Sequence, residues 1–231
     1  MFNPIPVEQT TAATDLIMGT VAVVIAVSVY SLGRPKDKTR ALVWTSLFVL
    51  SAVASFLGAI AHGFAMSAET HYLLWQPLNL SLGLSIALFV AAVVYDVKGR
   101  AALTIVLPLM LVISVFFYLY TLLKSDSFLV FIAFEVAAML LALICYFVLA
   151  YRQQLAGAWT LTLGILINII AGAVQSLSSL HFTLIWEFNH NGLFHEIQMA
   201  SLIVLYLGLR KDFKITEKAD NCSNLPHSQF Y

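Results

Sequence analysis

The sequence predicts an all-α protein, a bundle of seven membrane-spanning helices, and three observations carry that expectation. Hydrophobic residues make up 61% of the chain and charged residues 10%, a balance foreign to water-soluble domains. The apolar residues gather into seven runs, each long enough to cross ~30 Å of hydrocarbon as a helix. Lysine and arginine fall almost wholly in alternate connections between those runs. A chain crossing lipid finds no water for its backbone polar groups, so each run must satisfy them internally, as a helix does.

The elements follow in order. The first run, 14–33, carries Asp15 at its start, where a carboxylate suits a helix N-terminus, and stops at Arg34. The second, 41–64, places Ser51, Ser55, Gly58 and His62 at i, i+4, i+7 and i+11, one helical stripe. The third, 72–95, has Gln76 and Asn79 on a shared face and closes at YDVKGR. The fourth, 101–123, is nearly featureless. The fifth, 127–151, carries Glu135 about two turns in, and Cys145. Asn168, Gly172, Gln175 and Ser179 climb one face of the sixth, 158–180. The seventh, 191–209, opens in FNHNGLFHEIQM, which aligns Asn191, His195 and Gln198 at i, i+4 and i+7.

Every lysine and arginine except Lys124 lies in the first, third or fifth connection or beyond the seventh run. The positive-inside rule then puts the N-terminus outside and the C-terminus in the cytoplasm, in a plasma or inner membrane. The zero formal net charge averages two unlike faces and gives no ground for a nucleic-acid partner. The N-terminus lacks a basic start and a cleavage pattern, so the first run is expected to stay in the mature protein. Residues 1–210 read as one seven-helix domain, and 211–231 as a cytoplasmic tail expected to be disordered. Cys145 and Cys222 fall far apart and form no thiolate metal motif. Gly58, Gly83, Gly164 and Gly172 read as points of close helix approach.

Function has to come from the polar residues. All histidines but His227 fall at the outer ends of the runs: His62, His71, His181, His190 and His195. His71 and His181 read as interfacial side chains. Serines such as Ser51 and Ser55 ordinarily bond their own helix backbone, and Asn79, Asn168, Gln175 and Gln198 ordinarily glue helices together. Glu135 is different, because a carboxylate at that depth needs a partner or a proton. His62 and His195 at matching depth, with polar neighbours, exceed what packing requires.

Imidazoles gathered at one depth suit zinc, with an open position for water. The candidate ligands are His62, His195, His190 and Asn191, oriented by Gln198, Glu196, Asn79 and Gln175. Glu135, Asp15 and Ser55 are the candidates for the catalytic groups, with Glu196 a further carboxylate in reach. No HExxH motif is present, and His190 and His195 stand five residues apart, off the spacing that pairs ligands on one helical face.

On SFLGAIAHGF, which holds His62, and HNGLFHEIQ, which holds His195, the chain resembles the CREST superfamily, the alkaline ceramidases and the progestin and adipoQ receptors. The resemblance covers those two motifs and the seven-helix plan. It implies a zinc site built from one histidine late in the second span and an HxxxH pair in the last. Asn191 stands where the first histidine of that pair is expected, and Gly58 stands four residues before His62 in place of the family serine. Glu69 is a poor match for the aspartate expected after the second span. The outside N-terminus matches the ceramidases and is opposite to adiponectin-type receptors.

The first functional expectation is therefore a membrane-embedded, zinc-dependent hydrolase of a lipid amide or ester, working from the extracytoplasmic side on membrane lipid. The second is a non-enzymatic receptor or sensor that binds a small molecule or lipid in an outer polar pocket. It lacks the DRY and NPxxY signatures of G-protein-coupled receptors, and no lysine in the seventh run could hold retinal. A haem or quinone protein would use His62 and His195 as axial ligands but has no second pair for transfer across the membrane. A transporter is disfavoured by few intramembrane charges and no internal repeat.

Overall fold

The computed structural model describes residues 1–123 and 128–223. Lys124 and His227 lie outside them. Seven helices are long and apolar enough to cross a membrane: α1 (Pro6–Gly33), α2 (Lys38–Gly63), α3 (Ala68–Lys98), α4 (Arg100–Leu123), α5 (Phe128–Tyr151), α6 (Ala158–Gln175) and α7 (His190–Ser223). Even the shortest, α6 with 18 residues, rises ~27 Å. Between α6 and α7 a short antiparallel hairpin, β1 (His181–Thr183) and β2 (Glu187–Asn189), departs from the all-α expectation.

Three boundaries differ most from the sequence reading. α1 begins two turns earlier, at Pro6 behind its N-cap Ile5, so Asp15 lies deep inside the helix and caps nothing. α6 ends at Gln175, where Ser176 N–H closes onto the carbonyls of Gly172 and Ala173, and the chain turns into the hairpin. α7 runs past residue 210 to Ser223, because Leu209, Asp212 and Phe213 are all buried and continue its packed face. Residues 224–231 of the expected tail lie outside the described residues.

Packing in sequence order, α1 against α2, α2 against α3, α3 against α5, α5 against α6, α6 against α7 and α7 back against α1, makes a closed ring of six helices. α4 packs on α3 outside it. Small residues set the close approaches. The Gly164 carbonyl accepts from Ser201 Oγ at 2.8 Å, and Leu205 of α7 lies where a side chain at 164 would go. Gly83 likewise admits Phe117 of α4. Gly172, expected to do the same, faces open space.

One end of the ring is pinned by charge. Arg40 of α2 grips Asp96 of α3 with two bonds, Nε to Oδ1 at 2.7 Å and Nη2 to Oδ2 at 2.8 Å. Its Nη2 also reaches Oδ2 of Asp212 on α7 at 3.0 Å. Tyr146 of α5 donates to Asp96 Oδ2 at 2.8 Å, and Asp212 Oδ1 accepts the Gly157 N–H at the start of α6 at 2.5 Å. Arg40, Tyr146 and Asp212 are all buried. Beyond this cluster the bundle is apolar, around Trp44, Phe48, Tyr146, Leu161 and Ile165.

Removing one partner from a buried, hydrogen-bonded charge set leaves the others unpaired, which costs about 3–5 kcal/mol. Arg40→Ala should therefore lower the thermal unfolding midpoint of the detergent-solubilised protein far more than Arg34→Ala, whose side chain is exposed. Equal midpoints for the two variants would show that the cluster contributes nothing to the bundle.

Candidate functional site

At the end of the ring opposite Arg40 the helices enclose a cavity of about 350 Å³. All six ring helices line it and α4 does not, as the distribution of polar residues predicts. Its polar rim brings together Asp15 of α1, Ser51, Ser55 and His62 of α2, Glu135 of α5, Gln175 of α6, and His190, Asn191, His195 and Gln198 of α7. Met18, Ala54, Leu78, Leu82, Phe194 and Leu202 supply apolar wall.

The centre of the site is a contact between the first helix and the last. His195 and Asp15 are both buried, and His195 Nε2 lies 3.3 Å from Asp15 Oδ1. On the other side of the ring, His195 Nδ1 lies 3.0 Å from Thr14 Oγ1, whose hydroxyl donates to the Thr11 carbonyl at 2.9 Å. A hydroxyl has one proton, so Thr14 either gives it to the Thr11 carbonyl and accepts from Nδ1–H, or gives it to Nδ1 and leaves the ring hydrogen on Nε2. With the hydrogen on Nε2 the ring donates to Asp15 Oδ1, and with it on Nδ1 the lone pair and the carboxylate need a proton or a metal ion between them.

Gly58 makes the contact possible. A Cβ at position 58 would stand 2.5 Å from Asp15 Oδ2, so the carboxylate occupies the space that a side chain there would need. Thr11 ties α1 to β2, its hydroxyl shared between the Val7 carbonyl at 2.9 Å and Asn189 Oδ1 at 3.2 Å. Asn189 Oδ1 in turn accepts the Gly192 N–H at 3.0 Å, which fixes the start of α7.

His62 is held in a similar way. Its Nδ1 lies 2.6 Å from Glu8 Oε2, a carboxylate that can only accept, so Nδ1 carries the hydrogen and Nε2 is the free lone pair. The signal for Glu8 in the sequence was its place two turns before Asp15, visible only once α1 is extended back to Pro6.

The remaining candidates divide. Glu135 lines the cavity and accepts from Asn168 Nδ2 at 3.4 Å. Gln175 Oε1, Gln198 Oε1 and His190 Nδ1 are buried without a hydrogen-bond partner, and all three residues line the cavity. Ser55 lines it as well, but its hydroxyl donates to the Ser51 carbonyl at 2.9 Å. Two residues do not belong. Asn79 is outside the lining because α3 turns Trp75, Leu78 and Leu82 inward and Asn79 one position round. Glu196 is exposed, one residue off the face that carries His195. His71 and His181 are exposed, as expected of interfacial side chains.

Zinc can be weighed against these atoms. Zinc-binding imidazoles commonly give their other ring N–H to a carboxylate, and His62 Nδ1 is engaged in that way by Glu8. The 3.3 Å between His195 Nε2 and Asp15 Oδ1 is longer than the ~2.7–2.9 Å of a charge-assisted hydrogen bond. It equals the roughly 3.3 Å edge of a tetrahedron whose metal–ligand bonds are about 2.0–2.1 Å. Among the described residues, however, no three His, Cys, Asp or Glu side chains converge on one point. Asp15 and His195 are the two such side chains at ligand spacing, and among the described residues no third joins them.

Fold and site together define the class, a multi-pass membrane protein whose seven-helix bundle carries at one end a mostly apolar cavity with a polar rim. The chain belongs to a family of unknown function, DUF6962, whose model matches residues 10–214 and so covers every residue of the cavity. No curated protein and no solved structure matches it.

The fit of Asp15 against Gly58 gives a direct check. Gly58→Ala should push the carboxylate away and cost about 1–3 kcal/mol, the usual range for overpacking. Gly172→Ala, with nothing within 4 Å, should stay within about 0.5 kcal/mol of wild type. The two thermal midpoints, measured side by side, would contradict this packing if they fell equally.

Proposed function

We propose that the chain is a zinc-dependent hydrolase embedded in the membrane, acting on a lipid amide or ester, with the cavity facing the extracytoplasmic side. The observation that carries the reading is the buried Asp15–His195 pair, an imidazole nitrogen and a carboxylate oxygen at metal-ligand spacing inside a mostly apolar cavity. Asp15 and His195 would hold the ion, His62 would supply the third donor through Nε2, and Asn191 or His190 would complete the set. Bound zinc lowers the pKa of its water and polarises a carbonyl.

The chain's own groups supply the rest of the chemistry. Glu8 orients the His62 ring, and Thr14 orients that of His195. Glu135, across the cavity and bonded only to an amide, is the carboxylate free to move a proton. Gln175 and Gln198 have acceptors to spend on a polar headgroup or an amide N–H. The apolar wall suits acyl chain. This assignment replaces Ser55 as a catalytic group, since its proton is already committed to the backbone. The orientation rests on the clustering of lysine and arginine at the Arg40 end.

The same unpaired amides would also serve a receptor that binds a lipid or small molecule without cleaving it, and metal content separates the two. Elemental analysis of the purified protein should find about one zinc per chain. His195→Ala and Asp15→Ala should both lose it while remaining folded, and the wild type should release fatty acid from a panel of lipid amides and esters. A folded wild type with no metal would overturn the hydrolase and favour the receptor. Stoichiometric zinc that survives both substitutions would move the site elsewhere.

A further inference from the structure

The hairpin between α6 and α7 has a shape that the cavity does not explain. Its strands pair His181 with Asn189, Phe182 with Phe188 and Thr183 with Glu187. Side chains alternate across a strand, so Phe182 and Phe188 share one face, and His181, Thr183, Glu187 and Asn189 the other. One face of the strands is apolar and the other polar, and the turn 184–186 is apolar throughout. At the base of the apolar face the rings of Phe182 and Phe188 stack, with centroids 5.4 Å apart and planes 7° from parallel. Phe188 also lies against Gly192 in the first turn of α7. The turn has no such cover. Leu184, Ile185 and Trp186 are 76%, 83% and 65% exposed.

Three consecutive large apolar side chains at a turn would be a liability on a water-facing loop. Their place in the chain removes the difficulty. The hairpin joins the end of one membrane-crossing helix to the start of the next, so it lies at the level where hydrocarbon gives way to headgroups. Tryptophan is enriched at that level, its ring apolar and its N–H polar. The tip can enter a layer poor in water because the turn satisfies part of its own backbone, with Leu184 N–H donating to the Trp186 carbonyl at 3.2 Å. β2 anchors the unit by packing on α1 and α7, which leaves the tip projecting.

We infer that the hairpin 181–189 is a membrane-interface anchor whose tip, Leu184–Ile185–Trp186, is embedded in the lipid leaflet beside the cavity. Its partner is the headgroup–acyl boundary of the bilayer that the helices cross. The inference does not depend on zinc or on hydrolysis. It adds that the start of α7, with His190 and Asn191 directly after β2, is tied to the lipid surface, so molecules in that leaflet reach the cavity mouth without passing through bulk water.

Trp186 is its own reporter. The protein would be placed in phosphatidylcholine nanodiscs, and the emission of Trp186→Phe subtracted from that of wild type to remove Trp44, Trp75 and Trp159. Trp186 is exposed and its replacement is apolar, so the variant should fold. The difference emission should be blue-shifted, lost when the lipid is brominated near the glycerol end of its acyl chains, and insensitive to iodide in the buffer. Loss with iodide but not with brominated lipid would place the tip in water and overturn the inference. Resistance to both quenchers would mean that protein covers the tip, and would overturn it equally.

Discussion

The bundle is organised around one guanidinium. Arg40 joins α2 to α3 and α7, and through Asp96 and Asp212 the same cluster reaches α5 and α6. Five of the six ring helices are thereby drawn together at a single point, and the sixth, α1, is packed along α2 and α7. Burying that much charge in an apolar surround is costly unless each atom has a partner, and here the carboxylate oxygens are taken up by a bidentate arginine, a phenol and a helix N-terminus. A ring closed at one end is free to stand open at the other. The cavity exists because the polar side chains at the far end do not pull the helices together in the same way.

What holds the cavity in shape is local. His62 and His195 are each held by a neighbour on α1, which places Glu8, Thr11, Thr14 and Asp15 along one side of that helix. α1 is therefore both the first transmembrane element and the scaffold for two imidazoles it does not carry. Gln175 and Gln198 differ from these side chains, because their buried amide oxygens have no hydrogen-bond partner.

Much of this was legible in the sequence. Length and hydropathy placed seven helices, and the i, i+4, i+7 stripes on α2 and α7 put Ser55, Gly58, His62, Asn191, His195 and Gln198 on a common wall. Those stripes succeed because a helix interior repeats regularly. Helix ends do not, and the errors collect there: Asp15 read as a cap when α1 had already begun, and Asp212 read as tail when α7 was still packed. Asn79 failed for a related reason, since a single position of phase separates a lining residue from a flanking one. The Arg40 cluster was invisible because its members look like ordinary positive-inside and loop charges, and only the ring brings Asp96 and Asp212 to the same guanidinium. The hairpin escaped because two three-residue strands between two long apolar runs read as an ordinary connection.

The contacts between α1 and the start of α7 join residues separated by 178 and 181 positions, nearly the whole chain. During synthesis, α1 would enter the membrane long before α7 emerges, and Asp15 would sit in lipid without the imidazole that later faces it. α2, which follows at once and leaves a gap at Gly58 for that carboxylate, is the natural interim shelter. The gap at Gly58 thus lets α1 and α2 fit together around Asp15 whether or not α7 is in place. The Asp15–His195 pair needs both ends of the chain.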